Sequence, residues 1–150
     1  MRKAPRGVWK ETIDVKVADL MAPDVVTVQR HHTVEHARDL MQRNGFHALP
    51  VVDSDVTVAG ILSSQDLAAN LKGSTPIGSV MTSKVYIIPQ YNDIHPAARL
   101  MRNHKIHHVV TQEKKVVGVL SSFDLLKLVE QHRFVMKAGP TPFRREARRQ

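Results

Sequence analysis

The chain states nearly the same sequence twice, and that internal repeat limits the folds open to it. Val17-Ala18-Asp19-Leu20-Met21 returns sixty positions on as Ile77-Gly78-Ser79-Val80-Met81. Ala37-Arg38-Asp39-Leu40-Met41 returns at the same offset as Ala97-Ala98-Arg99-Leu100-Met101. Gly60-Ile61-Leu62-Ser63-Ser64-Gln65-Asp66-Leu67 returns as Gly118 to Leu125 at an offset of 58, so a two-residue deletion in one turn accounts for the register. Two copies are too few for a solenoid, which needs about three stacked units to bury a continuous core. A unit of this size made twice implies two half-domains packed about a pseudo-two-fold axis, with a ligand-sized cleft between them.

Each copy reads as strand, helix, strand, strand, helix, an α+β pattern. In the first copy, residues 17–73, Val25-Val26-Thr27-Val28 predicts a short strand. Thr33 caps a predicted helix with Val34, Ala37, Leu40 and Met41 on one face, and Asn44-Gly45 stops it. Ala48 to Val52 and Val58 to Leu62 predict strands joined across Asp53-Ser54-Asp55, and Ser64 opens a helix toward Lys72. In the second copy, residues 77–136, the same plan predicts a strand at Tyr86-Ile87-Ile88 and a helix capped by Asp93 that carries Ile94, Ala97, Leu100 and Met101. Strands follow at His107 to Thr111 and Val116 to Leu120. A last helix runs from Ser122 through Gln131 toward Met136 and is expected to bury Leu125, Leu126, Leu128 and Val129.

Charge sits at the ends. Of the formal net charge of +8, residues 1–10 supply +4 and residues 137–150 supply +4, which leaves residues 11–136 formally neutral. A basic N-terminal arm (1–16) and a basic disordered tail (137–150) are therefore expected to flank the folded body. The body itself presents no overall field to draw a polyanion. With no cysteine in 150 residues, disulfides, thiolate nucleophiles and thiolate metal sites are excluded. No apolar run reaches the ~18–20 residues of a membrane span, and no signal-peptide stretch follows the basic start. A cytoplasmic protein that does not contact membrane is the simplest expectation.

The strongest local motif is Gly-apolar-apolar-Ser-x-x-Asp at a strand-to-helix junction, present as Gly60-Ser63-Asp66 and as Gly118-Ser121-Asp124. Glycine leaves room for close approach. The serine lies beside a helix N-terminus, where free N–H groups attract an anion such as phosphate. The aspartate can accept from vicinal hydroxyls, so the motif suits a ribose and its phosphate. The competing explanation is that the serine caps the helix and the aspartate complements its dipole. Two copies within a repeat that spans the chain favour the ligand.

These residues, with the Leu20-Met21 and Val80-Met81 leaders and the Leu49-Pro50-Val51-Val52-Asp53 strand, resemble the CBS-domain family, named after cystathionine β-synthase, arranged as a tandem pair or Bateman module. The resemblance covers Val17 to Val129. It implies a regulatory fold that binds AMP, ADP, ATP or S-adenosylmethionine in the clefts between repeats, homodimerises through its helices, and controls a separate, unidentified protein. Carried over by position, Asp66 and Asp124 would bind ribose hydroxyls, with Ser63 and Ser121 near phosphate. Val26, Thr27, Lys84 and Tyr86 would wall the adenine. Phosphate would be met from the opposite repeat: His107, His108 and Lys105 at the Asp66 pocket, but only His47 beside an uncharged Ala48 at the Asp124 pocket. The Asp66 pocket is thus expected to bind first. Histidine in place of arginine implies tighter phosphate binding in acid, since an imidazole titrates near ~6.5.

Nine histidines raise the question of a metal. His31, His32 and His36 form one cluster and His104, His107 and His108 another, but no thiolate or carboxylate completes either. No metal, cofactor or catalytic role is expected, because the chain has neither a nucleophile elbow nor a P-loop. The expectation is a stand-alone sensor. Two alternatives stay open: nucleic-acid binding through the basic termini with Trp9 and Phe143, and a structural dimer with degenerate pockets.

Overall fold

A computed structural model describes residues 14–22, 24–53, 57–68 and 70–131. Most of the basic arm, the basic tail, Ser54-Asp55 and the extension toward Met136 lie outside the described residues. The remaining chain is an α+β pair of similar halves. A short helix α1 (Val17–Leu20) leads to α2 (Val34–Asn44) and the hairpin β1 (Ala48–Val52) and β2 (Val58–Ser63). A 3₁₀ turn (Ile77–Ser79) then leads to β3 (Ile87–Ile88), α3 (Ile94–His104), the hairpin β4 (His108–Gln112) and β5 (Val116–Ser121), and α4 (Ser122–Gln131).

Local chemistry explains where the helices begin and end. Thr33 Oγ1 accepts from the His36 N–H at 3.2 Å to cap α2. Gly45, at φ +66°, ends it with its N–H on the Met41 carbonyl. Helix α3 ends the same way at Lys105, a non-glycine residue at φ +53°. Its start departs from expectation: the Asp93 side chain does not cap α3 but accepts from Lys16 Nζ at 2.6 Å.

Both hairpins are antiparallel, with Ala48 opposite Ser63 and His108 opposite Ser121. β3 adds parallel to β4. The matching strand expected over Val25 to Val28 shrinks to one bridge, Val28 to Val51. Proline explains the loss. In the second half the Val110 N–H donates to the Tyr86 carbonyl at 2.9 Å. Pro50, the residue sixty positions before Val110, has no N–H to give Val26.

Two helix expectations are also corrected. The segment after Ser64 forms hydrogen-bonded turns over 64–67, not a helix to Lys72. The chain beyond is drawn across to α2, where the Gly73 and Thr75 carbonyls accept from the Glu35 and Val34 N–H groups. In α4, Leu125 and Leu128 are only half-buried, while Leu126 and Val129 are exposed along with Phe123.

The two halves are built by exchange. Val17 and Leu20, from the leader of the first repeat, are buried with Ile88, Ile94, Ala97, Met101, Val109 and Leu120 of the second. The Val17 and Ala18 N–H groups donate to Asn92 and Gln90, and the Ile94 N–H donates to Val15. Reciprocally, Ile77 is buried among Val28, Val34, Ala37, Leu49, Val51 and Leu62 of the first repeat. Each repeat therefore lends its leader to the core of the other. A third cluster, Val52, Val110 and Val116, joins the two sheets.

Candidate functional site

The leader exchange brings the chain from the second half, at Ala22, back to the first, at Asp24 to Val26. Along that passage lies a cavity of about 440 Å³, within the usual range for small-ligand sites. One wall is Ala22, Asp24, Val25 and Val26; another is Phe46, His47, Ala48 and Pro50; the third is Val119, Ser121, Ser122, Phe123 and Asp124, with His107 and His108. Both repeats contribute to it.

At its floor, Ser121 and Asp124 form a reciprocal cap on α4. The Ser121 N–H donates to Asp124 Oδ2 at 2.9 Å, and the Asp124 N–H donates to Ser121 Oγ at 3.0 Å. Lys127 Nζ lies 3.2 Å from Asp124 Oδ1. The Ser122 N–H donates to the His107 carbonyl at 2.7 Å, and the His107 ring Nδ1 meets Ser122 Oγ at 3.0 Å. The capping explanation weighed from sequence is thus present in the geometry, and the carboxylate still lines the cavity.

His108 sits where both halves converge. Burial holds its imidazole below the ordinary histidine range, reinforced by His107 and His47, while the Asp124 and Asp66 carboxylates pull the other way. The same residue thus feels the aspartates of both repeats. Its counterpart, Ala48, has no such group.

The Asp66 motif is arranged differently. Asp66 Oδ2 accepts from the Ser63 N–H at 2.8 Å and from Ser63 Oγ at 3.0 Å, and Thr82 Oγ1 lies 3.4 Å from Oδ1. Asp66 and Ser63 do not line the cavity. Tyr86, expected to wall an adenine, stacks on His104 with ring centres 4.5 Å apart and bonds its Nδ1 at 3.0 Å; Lys84 Nζ lies 5.6 Å from the Tyr86 ring.

Of the residues singled out by sequence, the cavity gathers Val26, His47, His107, His108, Ser121 and Asp124. Thr27, Lys84, Tyr86, Lys105, Ser63 and Asp66 lie outside it. The cavity sets His107 and His108 beside Asp124, because β4 pairs His108 with Ser121, while His108 also lies near enough to Asp66 to feel its charge. Sequence reasoning missed Phe46, Pro50, Val119 and Phe123. Pro50 was the legible signal, since a proline within a strand leaves a neighbour unpaired.

The histidine cluster at the start of α2 is a packing feature. His31 and His36 flank His32 with ring centres 4.6 and 4.9 Å away, and His32 Nδ1 accepts from the Gln29 N–H. Among the described residues no group of side chains is arranged to hold a metal ion, and no helix is long and apolar enough to cross a membrane.

A family model for the CBS domain matches residues 17–73 and again 77–131. The chain belongs to the CBS-domain family. It is 29% identical to the CBS domain-containing protein YhcV of Bacillus subtilis over 115 residues, covering 73% of this chain and 81% of that one. It is also 35% identical over 124 residues to a homoserine O-acetyltransferase of Methanosalsum zhilinae, covering 80% of this chain but only 25% of the enzyme. The CBS chain thus spans about a quarter of that relative's length. Among solved structures, the CBS domain pair of MJ0100, in complex with 5′-methylthioadenosine and S-adenosyl-L-methionine, superposes with a TM-score of 0.73 at 23% identity, covering 79% of this chain and 98% of that one. CBSX2 in complex with AMP superposes with a TM-score of 0.67 at 23% identity, covering 77% and 96%. At these identities the two structures establish the shared CBS-pair fold.

Proposed function

We propose that this CBS pair is a regulatory module, without catalytic activity of its own, that binds an adenosine-containing small molecule in the cavity at Asp124 and controls a separate protein. The carrying observation is that the cavity is walled by both repeats, from Asp24 to Val26 and His47 on one side and Ser121 to Asp124 on the other. A ligand seated there touches both halves and can bias their packing only through its differential affinity for the available arrangements. The adenosyl ligands bound by the MJ0100 and CBSX2 pairs support the ligand class. Asp124 would take ribose hydroxyls in place of Lys127, and Val25, Val26 and Phe46 would flank the base. Phe123, Leu126 and Val129, exposed on one helix, support a second copy of the chain as a partner.

The test is a thermal-shift panel of AMP, ADP, ATP and S-adenosylmethionine on wild type, Asp124→Asn and Asp66→Asn. A shift in wild type and Asp66→Asn that disappears in Asp124→Asn is expected. Shifts lost in Asp66→Asn and kept in Asp124→Asn would place the ligand in the other cleft.

A further inference from the structure

The two repeats differ in charge where their sequences should match. Asp24 lines the cavity at a position held in the second repeat by Lys84, and Gly45 lines it where the second repeat has Lys105. Among the described residues, no lysine or arginine lines the cavity; its ionisable groups are Asp24, Asp124, His47, His107 and His108. Lys127 approaches from α4 but is engaged with Asp124 and, at 3.4 Å, with the Leu20 carbonyl. The permanent charges facing a ligand are therefore carboxylates, partly offset at one point.

A helix N-terminus could still hold a phosphate with its N–H groups. Here three of those donors are already used. The Ser121 N–H is on Asp124, the Asp124 N–H is on Ser121 Oγ, and the Ser122 N–H is on the His107 carbonyl. Among the described lining residues, the groups that can offer positive charge to an anion are imidazoles, which carry it in acid. His108 is half-buried where it faces Asp124 on α4, Asp66 across the halves, and the other two histidines.

We propose that the cavity selects uncharged or cationic adenosyl ligands over phosphorylated ones at neutral pH, and that acid relaxes this selection through the imidazoles that line it. The inference rests on the adenosyl reading of the site and adds the charge class of ligand it takes. A sulfonium or thioether nucleoside meets Asp24 and Asp124 favourably. A 5′-phosphate brings at least one more negative charge toward the same two carboxylates, with no lysine or arginine among the described lining residues to receive it.

Isothermal titration of the full chain with adenosine, 5′-methylthioadenosine, S-adenosylmethionine, AMP and ATP tests this. Near pH 8 the two phosphorylated probes are expected to bind at least about tenfold more weakly than 5′-methylthioadenosine, with the gap narrowing toward about pH 6. Asp24→Lys, which installs the second repeat's residue at an exposed position, is expected to narrow the gap near pH 8. AMP or ATP binding as tightly as 5′-methylthioadenosine to wild type near pH 8 would overturn the inference while leaving the adenosyl reading intact. A gap indifferent to both acid and Asp24→Lys would overturn it equally. Failure of all five probes to bind would overturn both readings together.

Discussion

Met21 Sδ occupies the space a side chain on Gly118 would need: a Cβ there would lie 2.9 Å from it. Met21 comes from the leader of the first repeat and Gly118 from the second hairpin, so this contact is a direct trace of leader exchange. Its mirror image is present at Gly60, where a Cβ would meet Met81 Sδ at 2.8 Å and the Thr82 carbonyl at 2.7 Å.

The two glycines should not tolerate alanine equally. At Gly118 the two nearest obstacles are side-chain atoms, the Met21 thioether at 2.9 Å and the Thr111 hydroxyl at 3.0 Å. At Gly60 they include a backbone oxygen held by the Ile61 N–H. Overpacking commonly costs about 1–3 kcal/mol, so Gly60→Ala should fall toward the upper end and Gly118→Ala toward or below the lower. Urea denaturation of both variants measures the difference; an equal loss would contradict the contact geometry.

Leu20 belongs to the first repeat by sequence and to the core of the second by packing, where it is 4% exposed. Leu20→Ala should cost about 2–5 kcal/mol. Its distinctive signature is regional: amide exchange should accelerate first in α3, β4 and β5, not in α2, β1 and β2. Faster exchange confined to the first hairpin would argue against leader exchange.

Lys105 ends α3 in the left-handed region at φ +53°, a conformation that favours glycine. Gly45 does the same work at the end of α2. Lys105→Gly should therefore stabilise the protein by up to about 1 kcal/mol, the strain relieved being partly offset by the freer unfolded chain. Because Lys105 lies outside the cavity, affinity for any adenosyl ligand should stay unchanged. A fall in affinity would restore the phosphate role that position suggested.

His108 should make stability depend on pH in a defined direction. Burial, His107 and His47 hold its folded-state pKa below the ordinary value. As pH falls below about 6.5, the unfolded chain takes up the proton first, so stability falls with acid. His32, also held low by burial and by His31 and His36, adds in the same sense. Carboxylates held low by cations, such as Asp53 beside Arg30, act only below the usual carboxylate range, in a separate window. Urea midpoints for wild type and His108→Ala, which copies Ala48, should diverge above about pH 7 and converge toward about pH 5 if the histidine's other contacts favour folding; the decisive quantity is the slope, shallower in the variant. Identical slopes would remove His108 as a source.

Residue patterns alone carried much of this fold. The repeat implied two halves; Thr33, Gly45 and the 3.6-residue spacing of Val34, Ala37 and Met41 placed α2 within its observed bounds. These are local effects, in which a cap, a left-handed terminus and one apolar face each act within a few residues. The expected helix beyond Ser64 failed because Gly73 and Thr75 are committed to the N-terminus of α2, a long-range bond that periodicity does not encode.

The site divides along the same line. Sequence by itself determined the two Ser-x-x-Asp motifs and the Ala48 and His108 mismatch, because these are facts of residue identity within a repeat. Only the tertiary structure decided that Val17 and Leu20 complete the other repeat's core, that the cavity lies at Asp124, and that His107 and His108 face it. Strand pairing is the physical reason. β4 aligns His108 with Ser121 of its own hairpin, and Ala22 with Asp24 to Val26 walls the space beside them.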